Sequence, residues 1–116
     1  MKFLWHVVVL AAFVVAMALA QDAPKKVTKV EALNAAVTKV QPDYPNMAKQ
    51  LKIHGVVELE VVVTETGSVG KVQILSGNPV LTAPAAQAVK LWKFKPFMED
   101  GKAVPVLAPI SLDFKL

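Results

Sequence analysis

The sequence predicts an α+β domain of two layers, a three-stranded antiparallel sheet with two helices on one face. Three observations predict it. Gly55 to Ser76 (GVVELEVVVTETGSVGKVQILS) holds two β-rich runs around a short polar stretch with Gly67 in it. Ala103 to Leu116 alternates apolar and polar residues a third time. Two further stretches place apolar residues at helical spacing. A hairpin alone is marginal in water, so its apolar face needs a cover, which the helices supply.

In chain order, Met1-Lys2 is a brief positive start, and Phe3 to Ala20 is apolar except for His6. Ala18-Leu19-Ala20 puts small residues at both positions a signal peptidase reads, and Gln21-Asp22 then turns polar. That is the anatomy of a signal peptide over residues 1–20. The alternative is an uncleaved anchor, since this run is near the shortest that spans a bilayer. Only in that case is the membrane a partner. Residues 21–40 read as a linker or N-terminal extension. Asp22 to Lys26 is a flexible link. Val27, Val30, Leu33 and Val37 recur at helical spacing among poor helix formers, which leaves 27–36 open between a helix and a strand.

The folded domain is expected over 41–116. Val37 to Gln41 reads as extended, because the residue before Pro42 avoids the α region. Pro45 opens a helix over Asn46 to Ile53, with Ala48 and Leu51 on its stripe and His54-Gly55 closing it. Val57, Leu59, Val61 and Val63 line one face of the first strand, with Glu58 and Glu60 on the other. Val72 and Ile74 continue the apolar face in the second strand. Thr82 is the expected N-cap of a helix from Ala83 to Lys93, with Ala85, Ala86, Val89 and Trp92 buried and Pro96 stopping it. Glu99-Asp100-Gly101-Lys102 is a turn. In the last strand Val104, Val106, Ala108, Ile110, Leu112 and Phe114 share one face. Pro105 and Pro109 within it confine it to a sheet edge.

Composition excludes several functions. There is no cysteine, so thiol chemistry and cysteine-bound metal are out, and an exported domain must hold by packing. The formal charge is +4, and every basic residue is lysine. Recognition of phosphate forks or base edges draws on arginine, so nucleic acid is not an expected partner. His54 has no second ligand at a metal or triad spacing and reads as a surface residue at a helix end. Glu58 and Glu60, two apart on an open strand face near Lys71, lack the cleft and desolvation that catalytic carboxylates need. No catalytic residue, metal or cofactor is expected, and the chain is not expected to be an enzyme.

From Val40 to Leu116 the chain resembles the C-terminal domain of the TonB family. The resemblance rests on Tyr44-Pro45, Ala48, Gly55-Val56, Gly67, Val69, Ser76-Gly77, Ala85-Ala86, Trp92-Lys93-Phe94, Pro96 and Gly101, in that order. It implies the two-helix, three-stranded fold and a periplasmic domain that grips an extended peptide, the TonB box of an outer-membrane receptor. It implies that the peptide adds as a strand beside the last strand. By the same resemblance the partner-binding residues are Gln41 and Pro42, ahead of Tyr44-Pro45, and the edge residues Ser111, Leu112, Asp113, Phe114 and Lys115.

Three departures bear on that expectation. About twenty residues separate Ala20 from Gln41, a reach of roughly 70 Å at about 3.4 Å each, where full transducers carry a long proline-rich spacer. Pro105 and Pro109 lie on one parity, so if even-numbered residues pair inward, a guest strand pairs fully only near Ser111 to Lys115. Lysine stands where the family often has arginine. The leading expectation is a non-enzymatic, TonB-like binder of extended peptide linked to energy-dependent transport. The alternative is a soluble periplasmic adaptor whose sheet edge mediates homodimerisation or docking to an envelope protein.

Overall fold

A computed structural model describes residues 24–116. The expected signal peptide, residues 1–20, lies outside the described residues.

Alternation at period two builds the sheet. β3 (Gly55–Val63) buries Val57, Leu59, Val61 and Val63 completely, while Glu58 and Glu60 stay half-exposed on the other face. β8 (Val106–Phe114) runs antiparallel beside it in unbroken register, from Gly55 opposite Phe114 to Val63 opposite Val106. Its even-numbered residues Val106, Ala108, Ile110, Leu112 and Phe114 are buried against the inward residues of β3. On the far side of β3 lies β4 (Val69–Ser76), whose ladder slips twice, between Glu58 and Leu59 and between Val61 and Val63. Both slips put the extra residue in β4, the arrangement of bulges that bend an edge strand away from further pairing. Beside the first slip, Ile74 is 38% exposed rather than fully covered like Leu59 opposite it.

The turn between β3 and β4 closes through Thr64 N–H to Ser68 O (2.8 Å) and Gly67 N–H to Thr64 O (2.9 Å). Gly67 has φ +83°, and Phe94 N–H reaches back to its carbonyl at 2.8 Å.

Two helices roof the inner face. The first, Asn46–Gln50, buries Ala48 and stops before the expected Ile53. Closure occurs at Lys52, not at His54-Gly55. Lys52 has φ +56°, Ile53 N–H bonds Ala48 O (2.8 Å), and Lys52 N–H bonds Lys49 O (3.2 Å). This is a Schellman ending with lysine in the left-handed position that glycine usually fills. Lys52→Gly is therefore expected to stabilise the domain by about 0.5–1 kcal/mol, net of glycine's added freedom in the unfolded chain. A thermal midpoint raised by a few degrees in a calorimetric scan would show it.

The second roofing helix, Pro79–Val89, starts a turn earlier than Thr82 implied. Asn78 is the cap, its Oδ1 accepting from Val80 N–H at 3.0 Å, and Pro79 occupies the first helical position, where a missing N–H costs nothing. Thr82 lies inside and donates to Pro79 O (3.1 Å). Leu81, Ala85, Ala88 and Val89 face the core. The helix ends before Trp92, which is buried and donates its indole N–H to Val40 O at 3.0 Å.

The tract 27–36 is mostly helix. Thr28 caps Lys29–Ala35 by accepting from Glu31 N–H at 3.1 Å. This resolves the open choice in favour of a helix. Ala32 points into the core and Val27 packs partly against it, whereas Val30, Leu33 and Val37 point outward. Ahead of the helix β1 (Lys25–Lys26) pairs in parallel with β8, so the sheet has the order β1-β8-β3-β4, one short strand more than expected. β8 is therefore not the edge strand its prolines implied: it has neighbours on both sides at Val106 and Leu107 and an open side only beyond them. β2 (Ala36–Thr38) pairs with β5 (Lys93–Phe94). The expected turn at 99–102 joins β6 (Phe97–Glu99) to β7 (Lys102–Val104), with Asp100 and Gly101 both at positive φ as a tight hairpin requires. Pro105 interrupts the run predicted from Ala103 to Leu116, so β7 turns back on β6 and the core strand begins at Val106. In chain order the helices are α1 (Lys29–Ala35), α2 (Asn46–Gln50) and α3 (Pro79–Val89).

Candidate functional site: the outer edge of the last strand

The outward parity of β8 follows from one hydrogen bond. Val27 N–H donates to Leu107 O at 2.9 Å from the side of β1. In a strand paired antiparallel, a residue's N–H and C=O point to the same side, and the side alternates along the chain. Odd-numbered residues of β8 therefore face away from β3. Pro109 faces outward and offers only a carbonyl. Ser111 and Asp113 offer both groups, and among the described residues no backbone hydrogen bond reaches them from that side.

The expected site residues divide accordingly. Ser111 and Asp113 present free backbone, and Lys115 follows just past the strand. Leu112 and Phe114 are buried, their side chains in the core and their backbone groups turned to β3. They hold the edge in place and do not line it. Gln41 lines a shallow cavity of about 190 Å³ with Val40, Asp43, Pro84, Gln87 and Leu91, against α3. Pro42 is half-buried beside it. The Gln41-Pro42 segment is tied to the end of β8 through Tyr44. That ring meets Phe114 edge-on at 5.6 Å, and its hydroxyl donates to Ile53 O.

The open face of the sheet carries a polar cluster that sequence reasoning did not assemble. Ser111 Oγ donates to Glu58 Oε2 at 2.6 Å, and Lys29 Nζ lies 3.0 Å from the same oxygen. Lys26 Nζ lies 3.6 Å from Glu60. The expected neighbour of these carboxylates was Lys71; their cations come instead from the N-terminal tract. The Ser111 hydrogen bond, and after it Lys29, holds the Glu58 carboxyl below its ordinary range. A depressed carboxyl pKa contributes stability that is complete above the unfolded value of 4.5 and is lost as pH falls through the folded value. Acid titrations of the wild type and Glu58→Gln are expected to converge below that range, and to separate above it with the wild type more stable.

The fold is a small two-layer α+β domain with a mixed sheet, and beyond Leu107 the outer side of β8 exposes unpaired backbone. The chain belongs to the TonB C-terminal family. The family described as Gram-negative bacterial TonB protein C-terminal matches residues 40–116. Protein TonB of Vibrio cholerae serotype O1 is 39% identical over 79 residues, covering 66% of this chain and 32% of that protein. Protein TonB of Escherichia coli K12 is 36% identical over 72 residues, covering 60% of this chain and 30% of that protein. The chain thus spans about a third of the length of these curated relatives. The solution structure of the Pseudomonas aeruginosa TonB C-terminal domain superposes with a TM-score of 0.59 at 29% identity, covering 70% of this chain and 84% of that one. The TonB2 protein of Vibrio anguillarum gives 0.54 at 29% identity, with 71% and 80% covered.

Proposed function

We propose that this chain is a non-enzymatic periplasmic domain of TonB type. It accepts an extended peptide, the TonB box of an outer-membrane receptor, as an added strand on the outer edge of β8, in the service of energy-dependent transport. The observation that carries the reading is the pair of outward-facing, unpaired N–H and C=O groups at Ser111 and Asp113. Family membership supplies the class of partner. In β-augmentation the backbone bonds supply much of the attraction, and side-chain pockets on alternate residues supply the selection. The cavity beside Gln41 is a candidate for the second role.

The test is a titration of the isotopically labelled chain with a synthetic TonB-box peptide, followed by amide chemical shifts. Saturable shifts at Ser111, Asp113 and Lys115 are the expected result. Shifts confined to β4, the opposite edge, would overturn the placement.

A second reading is favoured by Pro109, which removes a donor from the same outer edge, and by Pro105 just before it. Here the edge serves homodimerisation or docking to an envelope protein, with no link to import. Sedimentation of the purified chain distinguishes the dimer. N-terminal sequencing of the protein from a fractionated envelope shows whether residues 1–20 remain as an anchor.

A further inference from the structure

The edge that accepts a strand in the reading above already carries one. β1 lies along the start of β8, Lys25 opposite Val106 and Lys26 opposite Leu107, and Val27 N–H takes the Leu107 carbonyl. Beyond Val27 the chain leaves the edge at Thr28, which caps α1, and α1 packs against β8. A guest strand that extended below Pro109 would need the groups β1 holds.

The fastening of this segment is slight. Its ladder is two residues long. Its lysines bond Glu60 and Glu58 from the surface, with side chains 66% and 55% exposed, a setting in which ion pairs hold weakly and screen readily. Its hold on the core is through small side chains: Ala32 is buried, and Val27, Ala35 and Ala36 are only partly covered against it. Between the segment and the β6–β7 hairpin lies an open surface groove of about 290 Å³ bordered by Val27, Glu31, Phe97, Met98 and Val106, so the segment is open to solvent on that side.

We propose that Lys25–Lys29 is a displaceable guard on the peptide-accepting edge. While docked, it confines an incoming strand to Ser111–Lys115. When it leaves, the Leu107 carbonyl is freed and a longer register opens. This rests on the strand-addition reading, and it adds that the chain regulates its own edge. The guard and the guest compete for the same backbone groups, so the apparent affinity for a long guest is reduced by the fraction of molecules with the guard in place.

The chain has no cysteine, so Lys26→Cys with Leu107→Cys introduces the only thiols. The two positions are directly paired and share a face, within the spacing a disulfide spans. Oxidation locks the guard; reduction frees it. A TonB-box peptide is expected to bind the oxidised full chain about tenfold more weakly than the reduced chain, and Lys26→Glu with Lys29→Glu to bind more tightly than wild type. Without peptide, the Val27 amide is expected to exchange with solvent much faster than the amide of Leu59, through local opening. Equal affinity in the oxidised and reduced forms overturns the guard and leaves strand addition standing. Val27 exchanging as slowly as Leu59 also overturns it, whatever the peptide does. A peptide that binds no form, locked or free, overturns strand addition and the guard with it.

Discussion

Gly67→Ala is expected to cost about 3 kcal/mol or more, a large share of the total stability of a small domain. Two independent constraints meet at this residue. Its φ of +83° lies in the region that a side chain disfavours. A Cβ built there would sit 1.9 Å from the Phe94 carbonyl oxygen, and that neighbour is backbone, which cannot rotate away. The oxygen cannot retreat cheaply, because Phe94 N–H is bonded to Gly67 O and Phe94 itself is buried in the core beside Trp92. Relieving the clash therefore separates the β3–β4 turn from β5 and loosens two core aromatics together. Gly101 provides the control. It also has positive φ, +79°, but nothing lies within 4 Å of its Cβ position. Gly101→Ala is expected to show only the conformational cost, of order 1 kcal/mol. Urea denaturation of the two variants measures the difference. Equal losses would mean that the contact with Phe94 contributes nothing.

The same distinction explains what could be read from the residues alone. The hairpin and the closing strand were legible because period-two alternation reports directly on which side is buried, and Val57, Leu59, Val61, Val63 and the even residues of β8 are where that pattern puts them. Gly67 was legible as a turn residue, but its contact with Phe94 was not, since the two lie far apart in sequence. The N-terminal tract stayed open between helix and strand for a physical reason. Of its larger residues only Val27 packs on the core; Val30, Leu33 and Val37 face outward, and the rest of the contact is made by Ala32, Ala35 and Ala36, which carry little hydropathy signal. A Thr-x-x-Glu signal for the start of α1 was present at Thr28 and Glu31. Asn78-Pro79 likewise announced the start of α3, and Thr82 drew the boundary away from it. At the candidate site, proline parity indicated which groups of β8 face outward. The joining of Lys29, Glu58 and Ser111 was not accessible, because it depends on β1 lying beside β8 and no local pattern encodes that pairing.

Asp113→Pro and Leu112→Pro, one residue apart, are expected to behave oppositely. The Asp113 N–H points away from β3 and has no backbone partner among the described residues. Proline there removes a donor the fold does not use, as Pro109 already does, so stability is expected to change by about 1 kcal/mol or less. The guest strand loses that donor and meets a ring at the edge, and peptide affinity is expected to fall at least about tenfold, the value of one lost backbone bond. Leu112 is buried and its N–H faces β3 opposite Val57. Proline there breaks the central ladder and empties a leucine site, a loss of about 4 kcal/mol, and the chain is expected to unfold. The pair measures parity itself. Were the strand turned the other way, Leu112→Pro would fold and lose peptide, while Asp113→Pro would fail to fold. Circular dichroism melts and peptide titration of both variants decide between the two orientations, and the orientation determines whether Ser111 and Asp113 are free to accept another chain.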